Sequence, residues 1–171
     1  MSAAPLDIQA LPALEPAQAV SLAGTLAQMD PWRTLGYGVE SLALGLQAVH
    51  PDLTRYLARR DGETLGVAVV RHPWLRGAYI ELLAVLPGAQ GQGIGAALLG
   101  QIQAAWQGRT DNLWLLVSAF NAGARRFYLR HGFRAIGTIP DLVIPGQDEV
   151  LMRKLLPHRR LAEPASGAPP V

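Results

Sequence analysis

The segment with the clearest chemical potential is the glycine-rich run from Gln90 to Ala96, QGQGIGA. It follows an apolar stretch, Ala78–Leu86, and leads into a segment with helical periodicity. Glycines allow backbone N–H groups to approach a ligand closely, and the N-terminus of a helix attracts anions. A strand, a glycine loop and a helix in this order are typical of a phosphate or pyrophosphate site, although a glycine-rich turn without a ligand gives the same pattern.

Two common phosphate-binding motifs can be compared with this run. A P-loop needs Gly-x-x-x-x-Gly-Lys-Ser/Thr, and Ile94 occupies the lysine position after Gly88 and Gly93. A dinucleotide fingerprint, Gly-x-Gly-x-x-Ala, does match from Gly91 to Ala96. Its acidic ribose partner should end the next strand, but that strand runs into the sequence SAF. The P-loop is therefore disfavoured. For a dinucleotide-binding oxidoreductase, the sequence has the glycine fingerprint but lacks the acidic residue that should follow it.

A third motif accounts for more of the chain. The spacing Gln90-x-x-Gly93-x-Gly95, after a strand that ends in AVLP, resembles the acetyl-CoA motif of the GNAT superfamily of N-acetyltransferases. A second block, LWLLVSAFNAGARRFYLRHGFRAIG, is similar to the next strand, asparagine-capped helix and Gly-Phe strand of that family, with Asn121 and Tyr128 seven residues apart. The two blocks together cover residues 78–137. The resemblance implies an acetyltransferase that uses acetyl-CoA.

The resemblance also implies which residues bind acetyl-CoA. Amides of the loop and of the helix start hold the pyrophosphate in this family, and the matching positions here are Gln90, Gly91, Gln92, Gly93, Ile94, Gly95 and Ala96. The strand backbone at Leu83 and Val85 is expected to pair with the pantetheine arm and to hold the acetyl carbonyl, where N–H groups stabilise an oxyanion. Asn121 is expected to contact the CoA arm, to cap the helix, or to do both.

Two residues are predicted to be catalytic. By the resemblance, Tyr128 is the general acid that protonates the CoA thiolate, and a packed core tyrosine is the alternative. A free amine with a pKa of ~10.4 is mostly protonated at neutral pH, so a group must also accept a proton. Peptide N-terminal acetyltransferases of this superfamily often carry a glutamate where this chain has Leu116. Glu81, an acid in an apolar strand, is the expected base, and a water chain is the alternative.

The acceptor is less well defined by the sequence. Candidate contacts for an amine of a small molecule or a peptide are Trp32, Tyr37, His72 and Trp74. We expect direct transfer in a ternary complex, and the absence of cysteine agrees with it. The alternative function is a non-catalytic acyl-CoA-binding sensor or regulatory module.

A mixed sheet is needed to position these residues. Periodicity and turn residues predict the element order β-α-α-β-β-β-α-β-α-β-β, with a tight turn at Asp61-Gly62, a helix carrying Leu42, Leu46 and Val49, and a loop over His72–Gly77. We therefore predict an α/β fold. It has a mixed, mostly antiparallel central sheet of about six to seven strands, flanked by helices on both faces as in GNAT proteins.

Length and composition bound the domain organisation. The chain has 171 residues, of which 50% are hydrophobic, which is enough for one core. We predict a single N-acetyltransferase domain over residues 1–156. The remainder, 157–171, is rich in Pro, Ala, Gly and Ser, and is predicted to be a flexible C-terminal tail.

Charge and hydropathy exclude several classes of partner. A formal net charge of +2 is too balanced to indicate a nucleic-acid binder. No apolar run reaches the ~18 residues of a membrane span, and no signal-peptide pattern opens the chain, so a cytoplasmic protein is expected. Four scattered histidines and no cysteine predict no metal site. The sequence is compatible with a homodimer but does not determine the oligomeric state.

Overall fold

A computed structural model describes residues 4–156 as seven strands and four helices. In chain order they are β1 (Asp7–Leu11), α1 (Pro16–Leu26), α2 (Val39–Gln47), β2 (Leu53–Arg60), β3 (Glu63–Trp74), β4 (Gly77–Val85), α3 (Ile94–Trp106), β5 (Asn112–Ser118), α4 (Ala122–Arg130), β6 (Arg134–Ile139) and β7 (Glu149–Leu155). This order confirms the predicted one. The predicted C-terminal tail, 157–171, lies outside the described residues.

The strands form one sheet in the order β1-β2-β3-β4-β5-β7-β6. Neighbouring strands are antiparallel except β4 and β5, which are parallel because α3 crosses over between them. The predicted α/β class, with a mixed, mostly antiparallel sheet, is confirmed.

Helices cover both faces of the sheet. On one face, α1 and α2 bury Leu22, Leu26 and Leu46 against strand residues that include Leu57. On the other face, the apolar side of α3 and Tyr128 of α4 pack on β2, β3 and β5. Gly66 of β3 lies under α3, where a Cβ would come within 3.0 Å of the Leu98 side chain. The sheet and helix therefore need glycine there to approach each other.

Two local predictions were wrong. Residues 72–77 are not all loop: β3 continues to Trp74, and the chain turns only at Leu75 and Arg76, whose φ angles are 39° and 57°. The extension is held by Trp74, which stacks on Tyr79 with 4.6 Å between the ring centroids. Val49 lies beyond the end of α2 and is 81% exposed, because the helix ends before it can reach the core.

The parallel pair in the centre of the sheet is short. β4 and β5 are in register only at Ala78↔Leu113, Tyr79↔Trp114 and Ile80↔Leu115 among the described residues. On its other side, β4 pairs with β3 through Ile80 and Leu82 but skips Glu81, so Glu81 is the extra residue of a β-bulge. Because a bulge bends its strand, β4 and β5 separate beyond this point. The gap between their carboxyl ends is where the predicted site residues meet.

Candidate active site

The loop after β4 has the backbone geometry of an anion site. Gly88, Gly91 and Gly93 have φ angles of +85°, +77° and +78°, which residues with side chains rarely adopt. Gly93 precedes the first helical residue, Ile94, and no side chain caps α3. The first N–H groups of the helix therefore have no acceptor within it and lie at the positive end of its dipole.

This helix end opens onto a cleft of about 640 Å³. Most of the predicted cofactor-binding residues line it together, namely Leu83, Val85, Gln90, Gly91, Gly93, Ile94, Gly95, Ala96 and Asn121. The opposite wall is α4, with Phe127 and Tyr128. The cleft is therefore long enough to join the glycine loop to the gap between β4 and β5.

Gln92 is the predicted cofactor residue that does not line the cleft. Its Nε2 donates a hydrogen bond to the Gly88 carbonyl (2.9 Å), and its Oε1 accepts one from Arg60 Nη1 (3.1 Å). The side chain therefore braces the loop from the side of the β2–β3 turn. Any contact of Gln92 with a ligand in the cleft has to come from its backbone.

A second cavity, of about 300 Å³, adjoins the first; we call it the acceptor cavity. Its walls come from the segment between α1 and α2, from β4, β5 and α4, and from the β6–β7 loop; they include Trp32, Leu35, Tyr37, Tyr79, Glu81, Leu116, Ser118, Leu142, Val143 and Glu149. Glu81 and Glu149 are the charged side chains among its lining residues. Most of its lining residues are thus apolar or aromatic, and two carboxyl groups and other polar atoms are also part of its wall.

Tyr128 lies where the two cavities meet. Leu83, Asn121 and Tyr128 line both of them. The Asn121 Oδ1 accepts a hydrogen bond from the Ala124 N–H (3.1 Å), and this N-cap places Tyr128 two turns along α4. The Tyr128 ring packs edge-on against Phe127 and Phe133, and the residue is 8% exposed. Burial raises the pKa of Tyr128, so the phenol keeps its proton at neutral pH.

Glu81 faces the acceptor cavity from the bulge of β4. Its Oε1 accepts a hydrogen bond from Nε of Arg71, which lies on β3, and the two side chains form an ion pair. Both side chains are about one-third exposed. The charge of Glu81 is therefore balanced by a neighbouring guanidinium.

Glu149 faces the same cavity from the first position of β7 and is only 4% exposed. Its Oε1 accepts a hydrogen bond from the Ser118 hydroxyl, at 2.6 Å, and these two residues are opposite each other in the β5–β7 pair. Burial raises the pKa of Glu149, and the Ser118 hydrogen bond partly opposes that shift. A carboxyl group with a neutral hydroxyl partner thus lies inside the cavity.

Comparison with known proteins decides the family. The model of the acetyltransferase (GNAT) family matches residues 25–133. The chain belongs to the GNAT acetyltransferase family. It is 34% identical over 122 residues to an uncharacterized N-acetyltransferase of Methanocaldococcus jannaschii, which covers 70% of this chain and 77% of that relative. The predicted enzyme class, an N-acetyltransferase, is therefore confirmed.

Solved structures show the same fold. The ribosomal-protein-S18-alanine N-acetyltransferase of Escherichia coli superposes with a TM-score of 0.71 at 20% identity, covering 89% of this chain and 94% of that one. A GNAT family acetyltransferase of Elizabethkingia anophelis with acetyl-CoA bound gives a TM-score of 0.67 at 20% identity, covering 88% and 98%. At these identities the likeness concerns the fold alone.

The structure also sorts the acceptor contacts predicted for this GNAT enzyme. Trp32 and Tyr37 line the acceptor cavity. His72 does not, because its ring packs on Trp106 with 4.6 Å between centroids. Trp74 lies behind Tyr79, against which it stacks, and reaches the cavity only through that ring.

Glu149 is the functional candidate that sequence reasoning missed. It follows a long loop and belongs to neither of the two blocks that carry the family resemblance. Only the pairing of β7 with β5 brings it opposite Ser118. An acid at the first position of an apolar strand was the one available signal, and it does not by itself indicate a site.

Two kinds of feature are absent from the residues between 4 and 156. No helix there is long and apolar enough to cross a membrane. No group of three or more His, Cys, Asp or Glu side chains in that range has the arrangement of a metal site.

Proposed function

We propose that this GNAT enzyme transfers an acetyl group from acetyl-CoA directly to an amine in a ternary complex. One observation supports this most strongly: the cleft that starts at the glycine loop and the acceptor cavity meet at Leu83, Asn121 and Tyr128. Two substrates that enter from opposite ends can therefore touch at a single point, and a covalent acetyl-enzyme is unnecessary.

The residues of the first cleft suit the donor. The backbone amides from Gln90 to Ala96 would bind the pyrophosphate, because the loop glycines and the uncapped start of α3 expose N–H groups. Beyond Ile80, β4 has no strand partner on its β5 side within residues 4–156, so the backbone near Leu83 and Val85 can pair with the amides of the pantetheine arm. Asn121 uses Oδ1 for the helix cap, which leaves its amide nitrogen for the arm.

The reaction forms a nitrogen–carbon bond and breaks a carbon–sulfur bond. A protonated amine loses two protons overall, of which one is gained by sulfur and the other is released. In this proposal Tyr128, which lines both cavities, gives its proton to the sulfur, and burial keeps the phenol protonated until then. A phenol is a weaker acid than a thiol in water, so this transfer is favoured only while the thiolate is held, poorly solvated, beside the hydroxyl.

The acceptor cavity favours an amine attached to an apolar body. Tyr37, Leu142 and Val143 line it and are each between 38% and 46% exposed. Exposed apolar side chains at a cavity indicate a binding surface for an apolar group. The two carboxyl groups in the cavity, Glu81 and Glu149, are the candidates for the group that takes the proton of the amine.

The proposal is tested by binding and turnover. Acetyl-CoA at a hundredfold excess over its Kd should raise the free energy of unfolding by about 2.7 kcal/mol and therefore raise the melting temperature. NAD should raise neither. A panel of apolar monoamines, polyamines and peptide amines, assayed by released CoA thiol, should show turnover that is fastest for the apolar monoamines. Stabilisation by NAD alone would contradict the proposal, and stabilisation by acetyl-CoA without thiol release from any amine would favour the sensor.

A further inference from the structure

We propose that Glu149, rather than Glu81, binds the ammonium group of the acceptor and takes its proton. This rests on the proposed function, since it assigns a role in the same acetyl transfer. It is carried by the position of the Glu149 carboxyl group inside the acceptor cavity, by its neutral partner, and by the ion pair that occupies Glu81.

Glu149 supplies from β7 a carboxyl group that the neighbouring strand β5 lacks at Leu116. Leu116 stands where related peptide acetyltransferases often carry a glutamate, and its side chain lines the acceptor cavity. Glu149 reaches the same cavity from β7, the strand next to β5, where it is opposite Ser118. The cavity therefore has a carboxyl group near the usual place, supplied by the neighbouring strand.

The surroundings of Glu149 are polar but uncharged, with one exception. Ser118 faces it from β5, Tyr37 from the segment before α2, and Tyr79 from β4; Tyr128 of α4 and the ion-paired Glu81 line the same cavity. Burial first, and then the charge of Glu149, raise the pKa of Tyr37. Burial, and then the charges of Glu81 and Glu149, also raise the pKa of Tyr79. Both phenols therefore stay protonated and add no charge that would balance the Glu149 carboxylate.

The two carboxyl groups differ in what balances their charge. The Arg71 guanidinium is bound to Glu81 and competes with an incoming ammonium for its oxygens. Glu149 has only the Ser118 hydroxyl, and its burial raises its pKa. An ammonium that entered the cavity would therefore gain more from Glu149, and a proton would be held there more firmly.

The proton then follows a balanced path. One N–H proton of the bound ammonium moves to a Glu149 oxygen, which frees the lone pair of nitrogen. That lone pair forms the bond to the acetyl carbon, the C–S bond breaks, and the sulfur takes the Tyr128 proton. The second proton lost by nitrogen returns to the Tyr128 oxygen through water, and Glu149 releases its own proton to solvent.

The test compares three charge-removing variants: Glu149→Gln, Glu81→Gln, and Glu63→Gln at the exposed first position of β3 as a matched control outside both cavities. The probes are 2-phenylethylamine, which is protonated at pH 7, and aniline, which is not. Binding of each amine to the CoA-saturated enzyme, which cannot transfer an acetyl group, is followed by thermal shift, and turnover with acetyl-CoA by thiol release from pH 6 to 9.

The proposal expects a loss that depends on the basicity of the amine. Glu149→Gln should lower kcat with 2-phenylethylamine by about 10²-fold or more and should lose the acid limb of the wild-type pH profile, while the loss with aniline is much smaller. Glu81→Gln should show a smaller loss that is similar for both amines, and Glu63→Gln should behave as wild type. The thermal shift caused by 2-phenylethylamine should shrink in Glu149→Gln alone.

Four results would overturn it. If Glu149→Gln loses the same factor with both amines, its role is structural. If Glu81→Gln shows the dependence on basicity instead, the assignment of the two carboxyl groups is reversed. If the wild type binds acetyl-CoA but neither binds nor acetylates any amine, the proposed function fails together with this inference, whereas unchanged amine binding and turnover in Glu149→Gln would refute this inference alone.

Discussion

Replacing Tyr128 with phenylalanine removes one oxygen at the point where the two cavities meet. The ring keeps its edge-on contacts with Phe127 and Phe133, whose centroids lie 5.2 and 5.6 Å away. The stability should therefore change by less than about 1 kcal/mol, which corresponds to about 2–4 °C in melting temperature for a chain of this size. The effect on the reaction should be much larger than the effect on the fold.

The expected loss of turnover follows from the role of the hydroxyl. A positioned general acid contributes about 10²- to 10⁴-fold in rate, which is about 2.7–5.4 kcal/mol of barrier. Tyr128→Phe should lower kcat by a factor in that range, while the affinity for acetyl-CoA, measured by thermal shift, stays within about threefold because the pyrophosphate site is untouched.

A matched control removes the same atom elsewhere in the core. Tyr56 is 2% exposed, packs in the same core cluster as Tyr128, and lines neither cavity. Tyr56→Phe should leave kcat unchanged, whatever it does to the melting temperature. The reasoning would be refuted if Tyr128→Phe kept kcat within about threefold of wild type, or if the two variants lost activity equally.

Three further predictions concern stability. Gly77→Ala should lower the free energy of unfolding by about 1–3 kcal/mol, because a Cβ there would lie 2.4 Å from the Asn112 carbonyl oxygen where β4 meets β5, whereas Gly24→Ala, on an open helix face, should not lower the melting temperature. Asn121→Ala should lower the free energy of unfolding by about 0.5–2 kcal/mol, because it removes the cap of α4, and should weaken acetyl-CoA binding. Asn121→Asp should restore the melting temperature. If Asn121→Ala changed neither stability nor acetyl-CoA binding, both roles of Asn121 would be refuted. Because burial raises the pKa of Glu149, the carboxyl group favours folding most at low pH and costs stability as the pH rises through its folded-state pKa. Glu149→Gln should therefore melt higher than wild type near pH 7.5, with a difference that shrinks as the pH falls through the folded-state pKa and has gone once the pH is below the ordinary value of 4.5. A variant that melts lower near pH 7.5 would contradict this sign.

Local signals were sufficient for the element order. Turn residues such as Gly62 and Gly132 have φ angles of +79° and +86°, so the glycines that punctuate the sequence do mark real chain reversals. The cofactor-binding run could also be predicted, because the strand, loop and helix that form it are contiguous. Its residues then line a single cleft, apart from Gln92.

Features that depend on distant residues were not predictable in the same way. Pro73 argues against a strand, and β3 extends past it through the stacking of Trp74 on Tyr79 and the pairing of Trp74 with Gly77. Gln92 turns towards Arg60, which is 32 residues earlier in the chain. Glu149 enters the acceptor cavity because β7 inserts between β5 and β6. The order of strands in a sheet cannot be predicted from hydrophobic periodicity.

The bulge at Glu81 explains why these parts converge where they do. Beyond Ile80, the backbone of β4 keeps its β3 partner but has no strand on the β5 side. Buried backbone N–H and C=O groups are rarely left without partners, so this edge requires either water or a ligand with alternating donors and acceptors. The pantetheine arm carries amide groups of that kind. The same bend that separates β4 from β5 also turns Glu81 into the acceptor cavity and leaves room for Tyr128 and Glu149 beside it. One extra residue in one strand thus creates both the strand edge at which we propose that the donor binds and the space that we propose for the acceptor.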